Sequence, residues 1–422
     1  MTNIENNFLG IKSPNPFWLA SAPPTDKKIN VTRAFEAGWG GVVWKTLGDQ
    51  VKNVSSRYAA LNHDGQRMVG LNNIELISDR PLEINLKEIK EIIREWPDRA
   101  VIASLMANTD RKSWHELIKR VQDTGCHGFE LNFGCPHGMT ERGMGAVVGQ
   151  DPEIAKMVVE WVMEVAQIPV ITKLTPNVHS VVPTAKAVVE AGTNGLSLIN
   201  TIQSLMGVDL DTLIPYPNVG GQTAFGGYCG PAVKPIALKM LTTIGQNEMM
   251  KNIPVSGIGG ISTWKDAVEF MLMGAGNVQV CTAVMKHGFK IINDLCGGLN
   301  NWMDEKGFAT LEDFRGLSLN KVTHWEALDL NYHIVARIDQ DKCIHCGLCY
   351  ISCEDAAHQS ISITKGIPYN KYMIKENECV GCNLCKLVCP VEDCISMIEQ
   401  RKGDEYLNWH EFVRRGLPLN DH

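Results

Sequence analysis

The sequence predicts a large α/β unit, a closed (β/α)8 TIM barrel, followed by a small C-terminal α+β domain. Three observations carry that reading: a βα unit that repeats eight times, unusual polar residues that fall where the strands end, and a cysteine content that rises abruptly near residue 335.

The strands come first. Short β-branched runs stand at Phe17 to Ser21, Gly41 to Thr46, Ala100 to Leu105, Gly128 to Gly134, Ile168 to Thr175, Gly195 to Thr201, Ile253 to Gly260 and Asn277 to Ala283. Between them lie longer segments such as Leu86 to Trp96, Arg111 to Thr124 and Pro152 to Val165, with apolar residues near i, i+3, i+4 and i+7. Eight such units in roughly 250 residues is the arithmetic of a barrel. An open doubly wound sheet uses the same alternation and is the competing architecture.

Barrel chemistry gathers where strands end and βα loops begin. Lys45-Thr46 end the second strand, Asn132 to Cys135 the fourth, Lys173 the fifth and Asn200-Thr201 the sixth. Gly259-Gly260 close the seventh and Cys281-Thr282 the eighth. The barrel is expected over residues 1–290, a helical linker over 291–334, the second domain over 335–400 and a tail over 401–422.

Composition narrows the function. The 422 residues carry 40 Lys+Arg against 47 Asp+Glu, a net charge of −7, with 44% hydrophobic and 21% charged residues. That balance excludes disorder, collagen and a polybasic nucleic-acid binder, and offers no electrostatic footprint for an anionic membrane. The N-terminus, Met1-Thr2-Asn3-Ile4-Glu5, has neither a basic nor an apolar targeting region. No run of about 18 apolar residues occurs. A soluble, cytoplasmic protein acting on small molecules is expected.

Five of the fourteen cysteines (Cys126, Cys135, Cys229, Cys281, Cys296) lie before residue 330 and nine after it. The tail reads Cys343-Ile-His-Cys346-Gly-Leu-Cys349-Tyr-Ile-Ser-Cys353, then Cys379-Val-Gly-Cys382-Asn-Leu-Cys385-Lys-Leu-Val-Cys389-Pro390. Both runs have the spacing with which three thiolates wrap one [4Fe-4S] cluster while the fourth turns to a neighbouring cluster. Crossed ligation is expected: Cys343, Cys346, Cys349 and Cys389 on one cluster, Cys379, Cys382, Cys385 and Cys353 on the other. Structural zinc favours paired cysteines but not four within eleven residues. Cys394 reads as a buried thiol. Residues 335–400 resemble a bacterial two-cluster ferredoxin, except that Glu354 stands where proline often follows the fourth cysteine. Such a domain carries electrons singly.

A redox barrel needs a cofactor. No Gly-x-Gly-x-x-Gly follows a strand in a βαβ setting, so no dinucleotide site is expected. FMN suits a chain that carries clusters, because flavin accepts single electrons and delivers a hydride. The stretch Val255-Ser256-Gly257-Ile258-Gly259-Gly260 sits where barrels often hold a phosphate. Lys45 and Lys173 are placed to stabilise negative charge on a reduced flavin ring; a solvated strand-end lysine is the plainer alternative. Glu130 to Gly145 leave a strand into a glycine-rich loop around Cys135, a composition suited to a mobile lid carrying one reactive group. A thiol there can hand a proton to carbon as a general acid. An inert buried cysteine is the alternative, and His137 either tunes the thiol or faces water.

Residues 13 to 290 resemble the class 1 dihydroorotate dehydrogenase barrel, and more closely the pyrimidine-reducing half of dihydropyrimidine dehydrogenase. The resemblance rests on Asn15-Pro16-Phe17 with Ala20-Ser21, Asn73-Ile74-Glu75-Leu76-Ile77-Ser78, the Cys135 to Gly145 loop, Lys173-Leu174-Thr175-Pro176-Asn177, Asn200-Thr201 and Gly226-Gly227. It implies that Cys135 protonates C5 of uracil or thymine while FMN delivers hydride to C6. It implies that Asn73, Asn132, Asn200 and Thr201 bind the pyrimidine, and that Ala20, Ser21, Lys45, Lys173, Gly230, Gly259, Gly260, Cys281 and Thr282 bind FMN. The family's large single-chain members also carry FAD and nicotinamide domains that this sequence lacks. Electrons are therefore expected from an FAD-containing, NAD(P)H-oxidising partner subunit, through the two [4Fe-4S] clusters. A dihydroorotate dehydrogenase-type enzyme and a non-catalytic electron-transfer module are the competing functions.

Overall fold

The computed structural model describes residues 2–136, 138–400, 407 and 409–416. It divides into two compact units, Met1–Val322 and Thr323–His422.

The first unit is a closed barrel of eight parallel strands. In chain order they are β1 (Phe17–Leu19), β2 (Gly41–Leu47), β3 (Ala100–Leu105), β4 (Gly128–Asn132), β5 (Val170–Lys173), β6 (Gly195–Leu198), β7 (Val255–Ile258) and β8 (Asn277–Val280). Each pairs with its sequence neighbours, and β8 closes on β1 through Val278 opposite Phe17. All eight fall inside the runs read from the sequence except β2, which extends one residue further. A doubly wound sheet would have left two open edges, and closure removes both.

The helices follow from caps and periodicity. Arg111–Gln122 starts on Asp110, whose carboxylate accepts from the Lys112 and Ser113 amides at 3.1 Å, and buries Trp114, Leu117, Ile118 and Val121 at i, i+3, i+4 and i+7. Pro152–Met163 starts on Asp151 with proline at its first position and buries Ala155, Val158, Val159 and Val162. At the opposite end from the strand C-termini, a hairpin of Asn6–Phe8 and Ile11–Ser13 sends Phe8 and Ile11 against Trp18, Val43, Ala100, Ile102 and Ile171. Phe8 meets Trp18 edge-on at 5.8 Å.

Two features depart from expectation. A four-stranded antiparallel sheet joins Ile202–Ser204, Gly226–Cys229, Gln66–Asn73 and Tyr58–His63. It is built from the loops after β2 and β6; each loop supplies its own antiparallel pair, and the pairing of Gln66–Asn73 with Gly226–Cys229 joins them across more than a hundred residues. The second concerns residues 291–334, expected as a helical linker. Helix Ile291–Lys306 packs Ile292, Leu295, Leu299 and Met303 into the barrel's outer core, and Leu311 and Phe314 follow. Trp302, Phe308 and Phe314 form a ring cluster with centroids 5.0–5.5 Å apart. The division between units falls after Val322 because this segment buries its apolar side chains on the barrel.

The second unit pairs Ile334–Ile338 with Ile395–Glu399 and Ile361–Thr364 with Lys371–Ile374, both antiparallel, and adds helices Leu348–Glu354 and Leu384–Leu387. Its core includes Cys349, Cys353, Cys385 and Cys394 beside Ala336, Ile361, Tyr372 and Ile395.

If residues 291–322 are structural, Phe314→Ala will lower the unfolding free energy of the barrel by about 3–5 kcal/mol, the usual scale for emptying a buried aromatic site. Urea unfolding followed by tryptophan fluorescence measures this, and an unchanged midpoint would return the segment to linker status.

Candidate functional site

At the C-terminal ends of the barrel strands, walled on one side by the four-stranded sheet, lies a cavity of about 1140 Å³ counting its open mouth. Every barrel residue singled out in the sequence lines it: Ala20, Ser21, Lys45, Asn73, Asn132, Cys135, Lys173, Asn200, Thr201, Gly230, Gly259, Gly260, Cys281 and Thr282. His137 lies outside the described residues.

The amides are held by one another. Asn132 donates through Nδ2 to Thr46 Oγ1 at 3.0 Å and accepts at Oδ1 from Asn200 Nδ2 at 2.9 Å. Thr46 in turn lies 3.1 Å from Ser21 Oγ and 2.9 Å from Ser104 Oγ. Asn73 donates to the Gly227 carbonyl at 3.1 Å, and the Asn200 Oδ1 accepts from the Thr201 amide at 2.8 Å. Gly134 makes this possible, since a Cβ there would sit 2.3–2.5 Å from the Asn200 side chain. Asn132 and Asn200 are thus held at both polar atoms and Asn73 at its Nδ2, and the second N–H of each Nδ2 is left directed by these bonds.

Both lysines are buried, Lys45 at 4% exposure and Lys173 at 6%, and each is answered by a carboxylate that the sequence reading did not single out. Lys45 Nζ donates to Glu75 Oε1 at 2.7 Å; Arg57 also donates to that oxygen at 3.1 Å, and Tyr58 donates its phenol to Oε2. Burial and the Glu75 hydrogen bond hold the Tyr58 phenol well above its ordinary pKa. Lys173 Nζ lies 3.3 Å from Glu130 Oε1, and Glu130 has no exposed surface. Ser197 Oγ and Gln279 Nε2 each donate to Glu130 Oε2 at 2.9 Å. A carboxylate between Phe129 and Leu131, inside an otherwise apolar strand, was the available signal.

Cys135 is 9% exposed and packs with Val51, Ile77, Met106, Met139 and Met144. Its carbonyl accepts from the Ala146 amide at 3.0 Å, which ties the two ends of the glycine-rich loop together. Two further thiols line the cavity. Burial pushes Cys281 up to about 12, and burial also raises Cys229, which accepts from Thr282 Oγ1 at 3.2 Å.

The cavity fits a flavin nucleotide. Gly260 has φ +80° and a Cβ there would meet Lys234 backbone at 2.8–2.9 Å, so bare main chain forms this wall, with Ser262 and Thr282 beside it. Among the described residues no donor reaches Gln279 Oε1, a buried acceptor.

In the second unit the eight predicted cysteines separate into two cavities. One, of about 320 Å³, is lined by Cys343, Cys346, Cys349 and Cys389, with Cys394 as a fifth thiol. The other, of about 370 Å³, is lined by Cys353, Cys379, Cys382 and Cys385. Each fourth cysteine crosses to the cavity of the other run. Among the described residues no three Cys, His, Asp or Glu converge on a single ion, whereas spaces ringed by four thiols suit a multi-iron cluster.

Removing one partner of a buried pair leaves a charge uncompensated. Glu130→Ala is therefore expected to cost about 3–5 kcal/mol in chemical denaturation, and a loss below ~1 kcal/mol would mean that Lys173 is already solvated.

Comparison with known proteins agrees with the geometry. Residues 3–303 match the dihydroorotate dehydrogenase family model and residues 336–397 a 4Fe-4S dicluster domain. The chain is 39% identical over 360 residues to the NAD-dependent dihydropyrimidine dehydrogenase subunit PreA of Escherichia coli K12, covering 85% of this chain and 87% of that protein. It is 44% identical over 325 residues to the chloroplastic dihydropyrimidine dehydrogenase (NADP(+)) of Arabidopsis thaliana, covering 74% and 76%. It is 35% identical over 318 residues to the catalytic subunit of dihydroorotate dehydrogenase B (NAD(+)) of Pyrococcus abyssi, covering 75% and 99%. The barrel match implies FMN and the dicluster domain implies two [4Fe-4S] clusters. A closed barrel with its polar residues gathered at one mouth, joined in sequence to a cysteine-ringed module, places this chain in the dihydroorotate dehydrogenase family, as a member with a C-terminal 4Fe-4S dicluster domain.

Proposed function

We propose that the chain reduces the 5,6 double bond of uracil or thymine, as the names of its Escherichia coli and Arabidopsis relatives suggest. The observation that carries this reading is one cavity holding a thiol, three oriented asparagines and a threonine together with two buried lysines. Carboxamides present a donor and an acceptor side by side, the complement of a lactam edge. Asn73, Asn132, Asn200 and Thr201 bind the ring by those edges. Lys45 and Lys173, with Ala20, Ser21, Gly230, Gly259, Gly260, Cys281 and Thr282, hold FMN, which when bound supplies the hydride.

Cys135 donates the proton to C5. Its sulfur belongs to an apolar cluster with Met139 and Met144, so bulk water is kept from the carbon being protonated and the thiol is the near source. The proton lost is regained from solvent between turnovers. Lys45 faces Glu75 at 2.7 Å and Lys173 faces Glu130 at 3.3 Å, so each lysine has its counter-ion within the protein.

Cys343, Cys346, Cys349 and Cys389 ligate one [4Fe-4S] cluster and Cys353, Cys379, Cys382 and Cys385 the other, in keeping with the two cavities they line. The clusters admit electrons from an FAD-containing, NAD(P)H-oxidising partner subunit; the Escherichia coli relative is itself named as a subunit. Oxidation of dihydroorotate is the second reading, favoured by the Pyrococcus relative. It predicts that dihydroorotate rather than dihydrouracil bleaches the flavin.

Two outcomes are expected. Cys135→Ala lowers uracil reduction with a chemical reductant about 10²-fold or more while keeping flavin and iron; turnover near that of the unaltered protein would remove Cys135 from the mechanism. The isolated chain reduces uracil with dithionite but not with NADH, and brisk NADH-driven turnover without a second subunit would exclude the partner.

A further inference from the structure

The two halves of the cysteine-rich unit repeat one another, and the repeat isolates a single chemical difference. In the first half the Cys343 amide donates to the Asp339 carbonyl at 3.0 Å and the Asp339 amide donates to the Cys394 carbonyl at 2.8 Å. In the second half the Cys379 amide donates to the Lys375 carbonyl at 3.1 Å and the Lys375 amide donates to the Ser360 carbonyl at 2.8 Å. Cys394 and Ser360 are therefore equivalent positions. Each immediately precedes a strand, each is 2% exposed, and each lines the cysteine cavity of its half.

Their side chains behave differently. The Ser360 hydroxyl is committed to main-chain acceptors, 2.6 Å from the Glu378 carbonyl and 3.0 Å from that of His358. The Cys394 thiol has a weak contact of 3.7 Å with the Asp339 carbonyl, and the thiols of Cys389 and Cys343 are its sulfur neighbours. It also shares a turn with Cys389: the Val391 carbonyl accepts from the Cys389 thiol at 3.5 Å and from the Cys394 amide at 3.3 Å. One cavity thus offers four thiols and a spent hydroxyl, the other five thiols.

We propose that Cys394 is a reserve ligand of the cluster held by Cys343, Cys346, Cys349 and Cys389, able to take the place of Cys389. The exchange is a ligand substitution with no change in oxidation state: the Cys394 thiol releases its proton to solvent, its thiolate binds the iron that Cys389 leaves, and the departing sulfur takes up a proton. The second cluster has no such reserve, because a serine stands in the matching place. The inference rests on the crossed ligand assignment proposed above.

The test is iron and sulfide content of anaerobically purified full-length chain, with electron paramagnetic resonance of the oxidised and dithionite-reduced states. Unaltered protein and Cys394→Ala should both hold about eight iron atoms. Cys353→Ala should lose one cluster, or its exposed iron, and the crossed assignment fails if it keeps both intact. Cys389→Ala should still hold about eight iron atoms in two [4Fe-4S] clusters, and Cys389→Ala with Cys394→Ala should fall to about four. Cys389→Ala with about seven iron and a three-iron signal, or with four or fewer, overturns the reserve-ligand proposal while leaving the assignment standing. A double variant that keeps two intact clusters overturns it as well.

Discussion

Glu130 has no exposed surface, and a carboxylate in that position persists only while its charge is answered. Lys173 answers it from the next strand at one oxygen, and Ser197 and Gln279 from β6 and β8 donate to the other. The arrangement ties four strands of the barrel together across its interior rather than around its wall. It also fixes the point at which the apolar floor, filled by Phe8, Ile11 and Trp18, gives way to the polar upper layer that carries the site. Lys45 and Glu75 repeat the device at the rim with Arg57 and Tyr58 as further partners. Positive charge can then stand beside a cofactor without a net desolvation penalty from an unpaired ion.

Much of this organisation was legible in the residues. The eight strand runs, the helix at Arg111 and the two cysteine runs are local patterns, and local patterns survive into the fold. Lys45, Lys173, Asn132 and Asn200 could be singled out because barrel topology delivers strand ends to one place, whereas Asn73 rested on the family resemblance alone. Glu75 and Glu130 were harder, because a carboxylate's burial and its partner are properties of the closed barrel. The pairing of Gln66–Asn73 with Gly226–Cys229 was hidden for a related reason: it joins two hairpin-like pairs that lie far apart in the chain. The packing of the segment from Ile291 on the barrel is hard to read because its core face, Ile292, Leu295, Leu299 and Met303, is interrupted by a Gly297-Gly298 pair that weakens the apparent period.

The cysteine-rich unit follows a different economy. Its few buried side chains include four cysteines, and little aliphatic volume stands between its two small sheets. A core of that size cannot balance chain entropy by apolar burial alone, so metal–sulfur bonds supply cohesion that the barrel obtains from Trp39, Trp44, Trp114 and its aliphatic layers. Binding the two clusters thus serves folding as well as redox chemistry, which explains why so small a module can be attached to a large one without an extensive core of its own.

The antiparallel sheet beside the cavity has a consequence for biosynthesis. Asn73 reaches its carbonyl partner on Gly227 across 154 positions of chain. A nascent polypeptide leaving the ribosome therefore exposes a half-built mouth for more than half of its elongation: the strand carrying Asn73 can pair with Tyr58–His63 early, but its other edge has no mate until the segment around Gly227 has emerged.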